Sequence, residues 1–237
     1  MFKILSMSVL VLLLAACGAP RPRQAPPPHP GKSAATLNLP TGRVYRVDET
    51  QSELRVLVYR AGPLARFGHN HVVVNRAIRG AVTWVEEAAV ASAFWLDVPV
   101  AGFVVDDTQA RRDEGLDFNS EVPPDAKAGT LHNMLGAAVL NVDEFPLITV
   151  HSLPASGARG ASSASGLVAT VAIRVAGHES TIDVPFALHA DPHRLSATGM
   201  VELRQTALGL TPYSLMLGAL QVQDSITIKF AIVAVSG

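Results

Sequence analysis

Apolar and polar side chains alternate with a period of two through most of the chain after residue 42. In the segment 180–190, Ile182, Val184, Phe186 and Leu188 share one face, and the intervening side chains are mostly polar. Alternation of this kind predicts a strand with one buried face. Similar segments lie near residues 54–58, 78–84, 90–98, 148–150, 167–175, 195–204 and 226–232. About eight strands, each with one apolar face, predict an antiparallel sheet.

Turn-forming residues separate these segments, as at residues 176–178, 191–193 and 156–166. No long helical pattern alternates with the strands, which disfavours a parallel α/β fold. The charged side chains lie on the face opposite the apolar one, whereas a membrane barrel has an apolar exterior. The pattern therefore predicts an all-β fold, an antiparallel eight-stranded barrel whose apolar side faces inward.

Two segments break the alternation. Residues 125–141 carry Leu131, Leu135 and Val139 at a spacing of four, which predicts a helix that ends before Pro146. Residues 206–220 are apolar but contain glycines and a proline, which predicts a loop with a short helix that acts as a lid. One or two short helices are therefore expected beside the barrel.

The N-terminus has the pattern of a secretory signal. Lys3 precedes an 11-residue stretch, Ile4 to Leu14, that is apolar apart from two serines and is too short to span a bilayer. The segment Leu14-Ala15-Ala16-Cys17 resembles a lipobox, in which the cysteine is lipidated. This predicts a signal peptide over 1–16 and lipidation of Cys17. An Asp directly after the cysteine would resemble a signal for retention in the inner membrane, but this position is Gly18. We therefore expect the protein to be anchored in the outer membrane and to face the periplasm.

Residues 17–42 are predicted to be a lipidated, extended tether, since they hold seven of the 16 prolines, three basic residues and no acidic one. The domain then spans 43–237. Of the 19 basic residues, 15 remain in it against 20 acidic ones, so its net charge is about −5. This acidic balance disfavours nucleic acid as a partner. The single cysteine excludes an internal disulfide framework.

An eight-stranded barrel either packs its interior with side chains or holds one small ligand. The inward residues are mostly Val, Ile, Leu and Ala, and aromatic residues make up 5% of the chain. Small aliphatic walls suit a long, thin, apolar ligand, but they also suit an ordinary core. The pattern alone leaves a hollow and a filled barrel open.

Three segments, in order, resemble those of one family: residues 45–48 (YRVD), 140–148 (LNVDEFPLI) and 208–214 (LGLTPYS). The family is the YceI-like family, and the resemblance covers essentially all of residues 43–237. It implies a lipocalin-like β-barrel without enzymatic activity, whose tunnel binds a polyisoprenoid or similar amphiphilic lipid. The expected role is transport, storage or shielding of an isoprenoid such as a quinone precursor in the periplasm.

The predicted ligand contacts follow from the inward faces and from the loops. The tunnel wall is expected to include Val56, Val58, Val82, Trp84, Phe94, Leu96, Val171, Ile173, Val184, Phe186, Leu188, Val201, Ile228 and Phe230. The tunnel mouth is expected to include Phe67, Met134, Leu215 and Met216.

The sequence Gly68-His69-Asn70-His71 resembles a Gly-His-x-His subset of the family. In a strand the two histidines share a face, so they could bind one metal ion with a third ligand from elsewhere. They could instead donate hydrogen bonds to a quinone or phenol head group, or stabilise a turn. A metal- or redox-partner-binding module, and a filled barrel that acts as a surface interaction domain, are therefore the alternative functions.

Two charged segments are interpreted as surface features. Asp106 and Asp107 are adjacent in sequence, so they are expected to be turn residues rather than a carboxylate pair. The mixed run from Arg111 to Glu114 is expected to be a solvated loop.

Overall fold

The computed structural model describes residues 41–86, 92–154 and 167–237. Cys17, the predicted signal peptide and nearly all of the predicted tether lie outside the described residues. The strands are β1 (Arg43–Val47), β2 (Glu53–Ala61), β3 (His71–Asn75), β4 (Arg79–Trp84), β5 (Ala93–Pro99), β6 (Phe103–Val105), β7 (Leu147–Ser152), β8 (Leu167–Val175), β9 (His178–Ala190), β10 (Arg194–Arg204), β11 (Ser214–Leu215) and β12 (Leu220–Ser236). The helices are α1 (Thr108–Asp113) and α2 (Pro124–Leu135).

Eight strands close into an antiparallel barrel in the order β1-β4-β5-β7-β8-β9-β10-β12. The ring closes where β12 returns to β1, with Val47 opposite Ala234. The predicted all-β, eight-stranded, lipocalin-like barrel is confirmed. The alternation of small apolar and polar side chains produces it, because only a closed sheet buries one face of every strand without leaving an edge.

Three strands of the barrel are each built from two shorter strands. β12 pairs with β2 along its first part and with β1 at its end, so β1 and β2 act as two halves of one bent strand. In the same way, β3 and β4 are two halves of one bent strand, and so are β5 and β6. The halves β2, β3 and β6 lie side by side and extend the sheet beyond β12. We call this part, at which β2 ends, β12 begins and both helices pack, the helical end.

At the opposite end of the barrel, the start of β1 meets the end of β12. Tyr45 is buried there against Leu195 and Ala234, and its hydroxyl hydrogen-bonds the carbonyls of Asp191 and Pro192 at 3.3 Å each. Tyr45 therefore ties the start of β1 to β10, β12 and the turn between β9 and β10.

The first helical segment is shorter than predicted. Helix α2 ends at Leu135, because the chain turns at Gly136 and residues 137–140 form turns rather than a further helical turn. Residues 206–220 form loops with two short 3-10 helices and the short β11, in line with the predicted loop and short helix. Neither described helix is long and apolar enough to cross a membrane.

The expectation of a solvated loop at residues 111–114 is wrong. This run belongs to α1 and its continuation, and Arg111 is buried. Asp107 begins the helix, because its carboxylate accepts a hydrogen bond of 2.9 Å from the backbone N–H of Ala110. The helix is thereby fixed against β3.

Candidate ligand cavity

The barrel encloses a cavity of about 810 Å³. Its volume lies in the upper part of the range of small-molecule sites. The wall consists mainly of the inward faces of the barrel strands, and most of its side chains are aliphatic or aromatic. A space of this size would hold on the order of 25 water molecules, which an apolar wall cannot satisfy with hydrogen bonds. The cavity is therefore suited to an apolar guest.

Most of the predicted site residues lie in this wall. They are Val56, Val58, Val82, Trp84, Phe94, Leu96, Met134, Val171, Ile173, Val184, Phe186, Leu188, Val201, Leu215, Ile228 and Phe230, together with His69 and His71. The period of two places the strand residues correctly, because it decides which face of each strand points inward.

Phe67 and Met216, predicted at the tunnel mouth, do not line the cavity wall, and their contact with a ligand stays a prediction. Both side chains are exposed on loops at the helical end. The ring of Phe67 lies under the guanidinium of Arg66, at 4.5 Å, rather than toward the cavity. In these loops the chain leaves extended geometry, so alternation no longer decides which way a side chain points.

The sequence reasoning missed several polar wall residues. Thr130 and Asn133 reach the cavity from α2, beside Met134. Their spacing of three and four places them on one helix face, and this spacing is the signal that could have identified them. They bring hydrogen-bonding groups to an otherwise apolar space.

A close contact between strands shapes the middle of the wall. Gly199 of β10 lies opposite Phe230 of β12. A Cβ at residue 199 would collide with the ring of Phe230 and lie 2.5 Å from the carbonyl oxygen of Pro185. The absence of a side chain there leaves room for the Phe230 ring on the inner surface of the barrel.

The polar residues of the cavity are organised around His71, the first residue of β3. Its Nδ1 lies 2.7 Å from Oδ2 of Asp106. Its Nε2 lies 3.4 Å from the hydroxyl oxygen of Thr130, on the cavity side. Because Nδ1 of His71 is hydrogen-bonded to the carboxylate of Asp106, Nε2 can hydrogen-bond a group inside the cavity. Nε2 of His71 and the hydroxyl of Thr130 therefore both face a ligand that enters the cavity.

Asp106 joins the sheet to both helices. Its carboxylate accepts hydrogen bonds from the backbone N–H of Val72, at 3.0 Å, and from Arg111 of α1, at 2.5 Å. Its backbone carbonyl accepts a hydrogen bond of 2.8 Å from Lys127 of α2. Asp106 lies at a bend of the chain, as predicted, but it is also 1% exposed and holds His71 in place.

Burial raises the pKa of the Asp106 carboxyl, but hydrogen bonds from His71, the Val72 amide and Arg111 outweigh burial and hold this pKa below its usual value of 3.8. The carboxyl is therefore ionised at neutral pH. Its charge is matched by Arg111, and Lys127 adds a second positive charge nearby. This end of the cavity therefore favours a neutral or anionic group over a cationic one.

His69 also borders the cavity, with its ring centre 6.2 Å from that of His71. Burial lowers the pKa of His69, and the neighbouring His71 and Arg111 lower it further. Among the described residues, no group of three or more His, Cys, Asp or Glu side chains is placed to hold a metal ion. The histidine pair therefore has no third ligand of these types within that part of the chain.

Solved structures share this fold. BcnA of Burkholderia cenocepacia aligns with a TM-score of 0.56 at 15% identity, over 79% of this chain and 98% of its own. A polyisoprenoid binding domain from Saccharophagus degradans, implicated in plant cell wall breakdown, aligns with a TM-score of 0.52 at 12% identity, over 81% and 98%. No family model matches the sequence, and no curated protein matches it. The fold implied by the YceI-like resemblance is thereby confirmed.

Proposed function

We propose that this chain belongs to the YceI-like family and binds one amphiphilic lipid, of isoprenoid type, inside its barrel. The observation that carries the proposal is a cavity of about 810 Å³ with mostly apolar walls, to which His71, Thr130 and Asn133 bring hydrogen-bonding groups at the helical end. Likeness to a polyisoprenoid binding domain supports the same ligand class. The role is transport, storage or shielding of the lipid, and it requires no catalytic step.

The physical basis is the hydrophobic effect. Removing apolar surface from water is favourable by about 25 cal/mol in free energy for each Å² buried. Enclosure of an apolar chain in the barrel is therefore strongly favourable. Side chains such as Val184, Phe186 and Ile228 supply the enclosing surface. A lipid so enclosed can cross an aqueous compartment that it could not cross alone.

The polar end supplies the specificity of the site. The Nε2 of His71, the hydroxyl of Thr130 and the amide of Asn133 all border the cavity. They fit a head group with carbonyl or hydroxyl oxygens, such as a quinone or a phenol. The positive charges of Arg111 and Lys127 behind His71 disfavour a cationic head group.

The cellular setting is part of the proposal. Acyl chains on Cys17 would anchor the protein, since two lipid signals give stable membrane attachment. We propose attachment to the outer membrane, with the barrel in the periplasm. Globomycin, which blocks removal of lipoprotein signal peptides, should then cause the uncleaved form to accumulate. Unchanged processing would contradict the lipidation of Cys17.

The first test is native mass spectrometry of the full chain purified from a bacterial envelope, followed by organic extraction. We expect one extractable lipid per chain with a prenyl fragmentation series. Val184→Trp, which fills the cavity, should lose this lipid, whereas Met200→Trp, on an exposed position of β10, should keep it.

Other results would point elsewhere. A bare polypeptide mass from the unsubstituted chain would contradict the carrier and favour a barrel that acts as a surface interaction domain. A single bound metal ion that disappears in His69→Ala would favour the metal-binding alternative.

A further inference from the structure

Two loops at the helical end expose large apolar side chains next to the cavity. Phe67 is 64% exposed, Leu215 is 44% exposed, Met216 is 74% exposed and Leu217 is fully exposed. We call these four residues the apolar rim. Single exposed apolar residues are ordinary on protein surfaces, but a cluster on adjoining loops marks an interaction site.

The two loops form one surface. The backbone N–H of Leu64 donates a hydrogen bond of 2.8 Å to the carbonyl of Ala219. A Cβ at Gly68 would lie 3.0 Å from the side chain of Leu220, so the loops are also packed together. Gly68, Leu215 and Leu220 line the cavity, and Leu215 is exposed as well. The cavity therefore reaches the protein surface at the apolar rim.

The backbone under the apolar rim is strained. Met216 and Leu217 have φ values of 50° and 55°, in the left-handed region that large side chains rarely occupy. Glycine or asparagine would fit this backbone better, so local conformation does not explain the side chains present. Strain of this kind at an exposed site is a reason to look for a binding role.

The charge of this surface is opposite to that of the domain. The segments 60–69 and 206–222 contain two arginines, Arg60 and Arg66, and no carboxylate. Both arginines are exposed, and Arg60 is fixed by a hydrogen bond of 2.7 Å from its Nη1 to the carbonyl of Gly68. The domain as a whole carries a net charge of about −5. Positive charge concentrated beside exposed apolar side chains suits an anionic lipid surface.

We propose that the apolar rim docks on an anionic lipid bilayer and places the cavity against the membrane. The four side chains insert at the boundary between head groups and acyl chains, while Arg60 and Arg66 contact lipid phosphates. A second copy of the chain fits this surface less well, because a two-fold contact would bring the same arginines together. The transfer of lipid through the docked rim rests on the proposed carrier function, but docking itself does not.

The experiment uses the full chain with Cys17→Ser, so that residue 17 cannot be acylated and an introduced cysteine is the only thiol. Leu217→Cys in this background carries an environment-sensitive fluorophore. Met200→Cys, an exposed apolar position in the middle of β10, carries the same fluorophore as the matched control. The probes are vesicles of phosphatidylethanolamine with phosphatidylglycerol, with and without doxyl-labelled lipids as quenchers, and vesicles of phosphatidylcholine.

The fluorophore at residue 217 should shift to the blue and be quenched by doxyl lipids on the anionic vesicles, and the fluorophore at residue 200 should do neither. Substituting Arg60→Gln and Arg66→Gln together should weaken binding to anionic vesicles by about thirtyfold at low salt. Equal responses at residues 217 and 200 would overturn the proposal. A shift at residue 217 that needs no vesicles and grows with protein concentration would assign the surface to a second copy instead.

Docking and lipid carriage can fail separately. If residue 217 inserts into vesicles but no lipid is extracted from the protein, docking through the apolar rim is supported and the lipid-carrier function is contradicted. An extractable lipid in a protein whose residue 217 stays in water would keep the carrier and contradict docking.

Discussion

The middle of the barrel and its helical end enclose the same cavity by different means. In the middle, backbone ladders hold the strands, and the wall is a repeated set of aliphatic side chains such as Val184 and Ile228. At the helical end, the buried ions Asp106 and Arg111 hold the helices on the sheet and aim His71 inward. The middle therefore sets a general preference for apolar chains, whereas the helical end can select among head groups.

The two regions should also respond differently to substitution. Beside a cavity, a substitution that changes the size of a wall side chain is tolerated, because the ligand or a neighbouring side chain can shift. A substitution in a buried ion pair is costly, because removal of one partner leaves the other charged and unpaired.

The largest effect is expected for Asp106→Asn. The change leaves Arg111 buried without its counter-charge, which should cost about 3–5 kcal/mol in the free energy of unfolding. Urea unfolding followed by circular dichroism measures it. Asp107→Asn is the matched control, since Asp107 caps α1 and makes only a long, exposed ion pair with Arg76, so the change should cost about 1 kcal/mol or less. If the two variants unfold alike, Asp106 does not hold the helical end together.

Gly199→Ala tests the middle of the barrel. The new methyl group must displace the ring of Phe230 or the backbone at Pro185, at a cost of about 1–3 kcal/mol. Because Phe230 lines the cavity, the volume available to a lipid should also shrink. Lipid retention, measured by native mass spectrometry, should fall along with stability. Gly129→Ala is the matched control, because a Cβ there meets no atom within 4 Å. Unchanged stability and retention in Gly199→Ala would contradict the close contact.

The sequence predicts the middle of the barrel well for a local reason. Alternation is set by neighbouring residues, so it identifies the inward faces of β2, β9 and β12 without knowledge of their partners. The rule does not apply to the loops that carry Phe67 and Met216, because the chain is not extended there.

The helical end depends on contacts that alternation does not encode. Asp106 lies 35 residues from His71, and the contact requires a left-handed backbone at Asp106, with φ of 56°. Arg111 belongs to a short helix whose charged residues resemble a solvated loop in sequence. Its burial becomes evident only when Asp106 and the carbonyl of Asn70 are placed beside it.

His71→Gln separates head-group recognition from chain binding. We expect affinity for a short-chain isoprenoid quinone to fall about tenfold, the value of one good hydrogen bond, with no change for squalene, which has no head group. Quenching of Trp84 fluorescence measures quinone binding, because Trp84 lines the cavity. Displacement of the bound quinone measures squalene binding.

Thr130→Val is the companion variant, since it removes a hydroxyl from the cavity and leaves Asp106 untouched. It should weaken quinone binding without lowering stability. Equal losses for quinone and squalene in both variants would mean that the polar residues shape the cavity rather than recognise a head group.

The smallest effect concerns pH, and it is followed at two of the titrating groups of the helical end, His69 and Asp106. The folded protein lowers the pKa of His69 below 6.5, so the unfolded chain binds more protons as the pH falls through that value, and stability decreases. The folded protein also lowers the pKa of Asp106 below 3.8, so its contribution is present above that pH and is lost below it. Stability measured by urea unfolding should therefore decline in two steps on acidification. His69→Gln should remove only the step near neutral pH. If that step persists in His69→Gln, another histidine causes it and His69 is not held neutral by the cavity.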